Sequence, residues 1–412
     1  MFAPQDALPL PPNPDLDHYK KRAKDLVKAA NDPNPMALAV WAKAWIDSLI
    51  QLSNLHITPT LPVSTDSWTD QLKQFALEQK SGAQLSLTKA QFVLARAHGF
   101  ESWPKFAKHL AAIGLKNSAT SAFEQAIESI ITGDQPKLEL LLKTNPALTR
   151  ARSTRKHQAT LLHYVAANGV EGYRQKTSAN AVEIAELLLD AGADVNATAE
   201  IYGPHATTLG LAATSIHPEQ AGLQQNLMEL LLARGASVND PTLVTSCLAN
   251  GRLPAAEFLT HAGAPLTLES AAGLGELEKV KSYFDRKGNL SPKATTEQFH
   301  RALLWSSEYG RNQVVEFLLD HRAPLDARSN DGQTPLHWAV IGGHLDTMQL
   351  LLSRGASLNE KNAYGGTPLG QAHWCREHGP KHINYAKVIE TLVQAEARSD
   401  KNKQKTHDTQ IR

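Results

Sequence analysis

Seventeen histidines and two cysteines make metal binding or nucleophilic catalysis the first chemistry to test. His373, Cys375, His378 and His382 are the densest set of nitrogen and sulfur donors. Zinc would need several of them on one tetrahedral centre at roughly 2.0–2.3 Å. On a helix opening at Pro368, His373 and Cys375 are two places apart and point to different faces. Gly379-Pro380 breaks that helix before His382, so the spacing does not assemble a metal site. The chain has no Gly-rich phosphate loop, no G-x-S-x-G elbow and no Cys-x-x-Cys pair. Its carboxylates are scattered, with no spacing that pairs an acid with a base. Cys247 and Cys375 offer no disulfide framework, which suits a reducing compartment. The reading is a non-enzymatic chain without cofactor or metal.

The aromatic residues suggest binding instead. Trp305 and Trp338 are separated by the same interval as Thr334 and Thr367, and Trp374 falls three places beyond the next equivalent position. Tyr309 and Ile341 occupy neighbouring places on the same helix face. Core-facing positions are filled separately, by Leu303 and Leu304, by Leu336, Ala339 and Val340, and by Leu369 and Ala372. Turn residues Arg328, Asn330, Asp331, Gln333, Lys361 and Tyr364 would give these aromatics a polar rim, the usual anatomy of a binding hot spot. The competing reading is that the tryptophans fill space between neighbouring elements.

The elements that position them repeat. Asp331-Gly332 signals a tight turn. Thr334 can cap a helix whose first position Pro335 fits, because no N–H is needed there. Leu336, Ala339 and Val340 recur at helical spacing. Gly342-Gly343 ends that helix, residues 345–353 form a second, and Gly355 supplies the left-handed residue beyond it. Thr367-Pro368-Leu369-Gly370 then restarts the pattern that opened at Thr334. Arg322-Ala323-Pro324-Leu325, Gly192-Ala193-Asp194-Val195-Asn196 and Gly235-Ala236-Ser237-Val238-Asn239 repeat the turn after the second helix. Thr160-Leu161-Leu162-His163 and Thr207-Thr208-Leu209-Gly210 are degenerate helix starts.

This unit resembles the ankyrin repeat in its period of about 33 residues and in the T-P-L-H motif, intact at Thr334-Pro335-Leu336-His337. The resemblance implies an all-α ankyrin-repeat solenoid over residues 119–398, about eight repeats, with polar insertions at 172–180 and 218–225. It also implies that His163 and His337 tie neighbouring turns by hydrogen bonds, and that a concave face binds other proteins. Residues 13–114 are helical by pattern and contain a helix, then Gly99-Phe100, Ser102-Trp103, then another helix. They resemble the N-terminal module of some bacterial ankyrin-repeat proteins, so a small helical bundle over 15–115 is expected to precede the repeats. A repeat array needs its apolar end covered, and capping is the role expected of this bundle, ahead of its being an interaction domain in its own right.

Length and composition agree. The chain of 412 residues is too long for one ordinary core. Its net charge of +1, from 42 basic and 41 acidic residues, gives no bulk attraction to nucleic acid or membrane. No signal peptide or membrane span is legible. Residues 1–14, rich in proline, and the polar tail 399–412 are expected to be disordered. The functional expectation is a monomeric, cytoplasmic scaffold or adaptor binding a protein partner on the concave face. The alternatives are a bacterial effector acting on a host protein, or an enzyme with its active site in the N-terminal module.

Overall fold

The computed structural model describes residues 3–11, 13–53, 64–82, 84–115 and 117–410, with side chains as far as residue 398. The chain divides into two compact units, Met1–Ser237 and Val238–Arg412. The first begins with five helices: α1 (Leu16–Ala30), α2 (Ala37–Leu52), α3 (Thr65–Glu78), α4 (Leu87–Ala97) and α5 (Trp103–Ile113). Asp15, Ser64, Ser86 and Ser102 cap α1, α3, α4 and α5 by accepting from N–H groups of the first turn. Their apolar faces meet in one core that includes Tyr19, Trp45, Trp68, Phe100 and Phe106.

Part of the proline-rich start is ordered against this core, contrary to the sequence expectation. Ala7 and Leu8 are each 1% exposed. The Leu8 N–H donates to the Ala97 carbonyl at 2.7 Å, and the buried His98 donates from Nδ1 to the Leu8 carbonyl at 3.0 Å. Burial in the aromatic core pushes His98 down to about 3, so its ring stays neutral. Two apolar side chains and two hydrogen bonds outweigh the cost of ordering a segment that proline has already stiffened.

Helix pairs follow. In the first unit they are α6 (Ala119–Thr132) with α7 (Gln135–Thr144), α8 (Leu161–Val165) with α9 (Ala181–Asp190), and α10 (Thr208–Thr214) with α12 (Gln224–Ala233). A short helix α11 (Ile216–Gln220) occupies the last insertion, and a hairpin pairs β1 (Thr198–Ala199) with β2 (Ala206–Thr207). The second unit contains α13 (Leu243–Ala249) with α14 (Leu253–His261), α15 (Leu268–Leu274) with α16 (Leu277–Lys281), and α17 (Thr296–Glu308) with α18 (Asn312–Asp320). It ends with α19 (Pro335–Ile341) and α20 (Leu345–Ser353), then α21 (Pro368–His378) and α22 (Tyr385–Gln410). Helix α22 continues through the polar stretch that the sequence reads as an unstructured tail, as far as Gln410. Within the second unit Leu303, Leu336, Ala339, Val340 and Ala372 are all buried in one core, as their spacing predicts, with Leu369 packed against it.

Consecutive pairs are stitched by hydrogen bonds. At His337, Nδ1 accepts from the Thr334 N–H at 3.2 Å while Nε2 donates to the Gly366 carbonyl at 3.1 Å. At His163, Nδ1 accepts from the Thr160 N–H at 3.2 Å and Nε2 donates to the Ala206 carbonyl at 3.2 Å. Each imidazole therefore braces its own helix start against the next turn. Gly332, with φ of 75°, lets those turns approach, since a Cβ there would lie 2.8 Å from the Ala363 nitrogen.

Candidate partner-binding face of the second unit

Two columns of side chains run along the first helices α17, α19 and α21. One holds Trp305, Trp338 and Gln371, and the other Glu308, Ile341 and Trp374, each member one repeat period from the next. Glu308 follows Trp305 by one helical turn, and Ile341 follows Trp338 likewise, so the columns share a face. Helices α17 and α19 touch at the ends of these turns. A Cβ on Gly342 would collide with the Glu308 carbonyl oxygen, to which His344 Nε2 donates at 2.8 Å.

Some of the expected binding residues are engaged in holding repeats together. Tyr309 donates its hydroxyl to the Leu248 carbonyl at 2.7 Å, reaching back to α13. Trp305 is half-buried and lies over Gly273. Trp338 is half-buried, with its indole N–H enclosed and without an acceptor among the described residues. Ile341 packs against the core. Gln333 is buried, and its side-chain oxygen accepts from Asn362 Nδ2 at 3.3 Å. Arg328 donates from Nη1 to the carbonyls of Gly332 and Lys361 at 3.0 and 2.8 Å and pairs with Glu360, bracing one turn on the next. The half-buried Asp331 carboxylate accepts from the Ser329 hydroxyl, and its carbonyl accepts from the Ala363 N–H at 2.9 Å.

The rest project outward. Trp374 is 56% exposed and stacks on His378, with centroids 4.8 Å apart. Tyr364 is 82% exposed, and Asn330 and Lys361 are exposed at the turns. Among the donors weighed as metal ligands, Cys375 is buried whereas His373, His378 and His382 are exposed, so they do not converge.

Sequence reasoning missed Glu308. Burial, and after it the nearby Asp331, raises its carboxyl to about 7. The signal was present, because Glu308 stands one repeat period before Ile341; Tyr309 beside it drew attention as the aromatic. Also missed was a buried charge network in the first unit. Arg155 donates to Glu124 and Glu171, each at 2.7 Å. Arg174 donates to Glu124 at 2.8 Å and Glu128 at 3.1 Å. Arg155 belongs to a loop, and Arg174 ends a single 3-10 turn, Gly172–Arg174, at the start of the insertion 172–180.

Comparison with known families agrees with this geometry. The family described as ankyrin repeats (3 copies) matches residues 268–362 and 303–405, and the single ankyrin repeat matches 157–200. Residues 157–200 and 268–405 carry ankyrin repeats. It is similar over 193 residues, at 29% identity, to the ankyrin repeat and KH domain-containing protein mask-1 of Caenorhabditis elegans, spanning 44% of this chain and 7% of that protein. Shorter similarities join it to palmitoyltransferase AKR1 of Lachancea kluyveri, 38% identical across 18% of this chain and 10% of that protein. Human ankyrin repeat domain-containing protein 49 is 38% identical across 17% of this chain and 30% of its own length. The chain thus spans under a third of each of these relatives. Ankyrin repeats are protein-interaction scaffolds, and among the described residues no helix is long and apolar enough to cross a membrane.

Proposed function

We propose that this chain is a non-catalytic adaptor whose ankyrin repeats hold a protein partner on the first-helix face of α17, α19 and α21. The observation that carries the reading is Trp374, an exposed indole in register with Ile341 and Glu308, and Tyr364 on the turn before α21 is exposed as well. A large aromatic at that position contributes little to the core and much to a partner's apolar surface. Trp305, Tyr309, Arg328, Asp331, Gln333, Trp338 and Ile341 set the shape of the face, while Asn330, Lys361, Tyr364 and Trp374 meet the partner. The bundle over 15–115 acts as a cap for the first repeats, and the chain works as a monomer in the cytoplasm, a reducing compartment that suits the thiols of Cys247 and Cys375.

The test is site-specific photo-crosslinking of the full chain, with the reactive group at position 374 and a control at Gln349 on α20. The proposal expects one protein to crosslink at 374 and not at 349, and to lose affinity for Trp374→Ala without a change in melting. Equal labelling at both positions, or unchanged affinity, would overturn it. The cap reading expects a chain lacking residues 1–114 to aggregate or melt earlier; an unchanged melting temperature would refute it.

A further inference from the structure

Arg96 lies in the last turn of α4 and is only 7% exposed. No acceptor among the described residues takes a hydrogen bond from its guanidinium. Glu101 acts on it through space, but that carboxylate is paired with Lys105. An arginine stays charged at any ordinary pH, and burying a charge without a partner is costly. Its place at a helix C-terminus offsets part of that cost, yet the side chain lines open space.

That space is a cavity of about 310 Å³ whose walls include Pro4, Arg96, Lys156, His157, Glu200 and Tyr202. The walls belong to segments far apart in sequence and are fastened by backbone hydrogen bonds. Leu8 N–H donates to the Ala97 carbonyl at 2.7 Å, Lys156 N–H to Gly99 at 2.8 Å, and Glu200 N–H to His157 at 2.8 Å. His157 offers no accessible nitrogen there, since Nδ1 accepts from the Ala159 N–H at 3.0 Å and Nε2 is enclosed, without a hydrogen-bond partner among the described residues, 3.6 Å from Glu171. The lining residues thus carry two cations and one carboxylate, around a preformed space at the small end of ligand pockets.

We propose that this cavity binds a small organic anion, a carboxylate or phosphate monoester, gripped by Arg96 with Lys156 at the mouth. The planar guanidinium fork suits either group through paired hydrogen bonds. Glu200 would accept from a hydroxyl or ammonium on the same ligand, and the Tyr202 ring provides an apolar edge.

The experiment titrates the full chain with benzoate and, separately, phenyl phosphate by calorimetry; the two arms distinguish the carboxylate from the phosphate source. At least one should bind saturably, roughly tenfold or more weakly to Arg96→Met and several-fold more weakly to Lys156→Ala. Arg96→Met should melt no lower than the wild type, because it removes an unpaired buried cation. The proposal is overturned if neither probe saturates below about 10 mM, or if Arg96→Met binds as tightly as the wild type. It is equally overturned if Arg96→Met melts several degrees lower or fails to fold, since Arg96 is then a structural tie.

Discussion

Arg155 Nε donates to the Glu171 carboxylate at 2.7 Å, with each side chain only 1% exposed. Both side chains reach this point from loops, Glu171 from the one that follows α8. Arg155 also lies 5.4 Å from the centre of the Phe100 ring, within the helical bundle, so the pair anchors the bundle side of the first repeats. Removing one member of such a pair leaves an uncompensated buried charge, at a cost of roughly 3–5 kcal/mol, whereas replacing both by apolar residues costs far less. Glu171→Gln and Arg155→Met should each lower the denaturant midpoint of the first unit strongly, and Arg155→Met with Glu171→Leu should recover part of the loss. Single variants as stable as ordinary surface substitutions, within about 0.5 kcal/mol of the wild type, would show that the pair contributes little.

The same network gives the first unit an acid limit. Burial alone would raise the Glu124 carboxyl, but Arg155 and Arg174 prevail and hold it at about 2, below its ordinary 4.5. A carboxylate depressed in the folded state contributes stability above its unfolded value and loses it as pH falls toward the folded one. The window is therefore pH 4.5 to 2, and thermal melts of the wild type should fall steeply across it. Glu124→Gln should melt lower at pH 7 but lose less on acidification. A variant whose melting falls in parallel with the wild type through that window would rule the assignment out.

Glu308 works in the opposite direction. Its folded carboxyl is raised to about 7, first by burial and then by Asp331. The stability it contributes is present below 4.5, the unfolded value, and is lost as pH rises through about 7. Glu308→Gln should therefore raise the melting temperature at pH 8 and leave it unchanged at pH 4. A pH-independent effect of the substitution would show that Glu308 is hydrated in the folded chain.

What can be read from the sequence follows local rules, and what cannot depends on distant contacts. Thr334, Pro335 and His337 disclose a helix start because each acts on its own turn, and the apolar positions of α17, α19 and α21 disclose the core by their period. The exposure of Trp374 and the partial burial of Trp338 are not periodic. They depend on which neighbour lies over each ring, and in the column of Trp305 and Trp338 the next place holds Gln371. The insertion 172–180 reads as a polar loop, yet it turns Arg174 inward toward Glu124. Leu8 reads as part of a disordered start because its partners, Ala97 and His98, are about ninety residues away.

Trp338 and Trp374 now have different expected outcomes under the same substitution. Trp338 is half-buried on α19, which packs against both α17 and α21, so truncating it leaves a gap that neighbours only partly fill. A fully buried tryptophan costs ~3–5 kcal/mol when cut to alanine, and half-burial places Trp338→Ala near the lower end of that range or just below. Trp374 is 56% exposed and touches His378, so Trp374→Ala should change stability by about 0.5 kcal/mol or less. Its loss should instead appear in partner binding, at the ~2–4 kcal/mol of a hot-spot aromatic, which is roughly thirty-fold to a thousand-fold in affinity. Thermal melts and affinity measured on the same two variants decide the matter. If Trp374→Ala keeps full affinity, the partner lies elsewhere on the repeats. If Trp338→Ala melts like the wild type, its ring belongs to the binding surface and not to the packing between repeats.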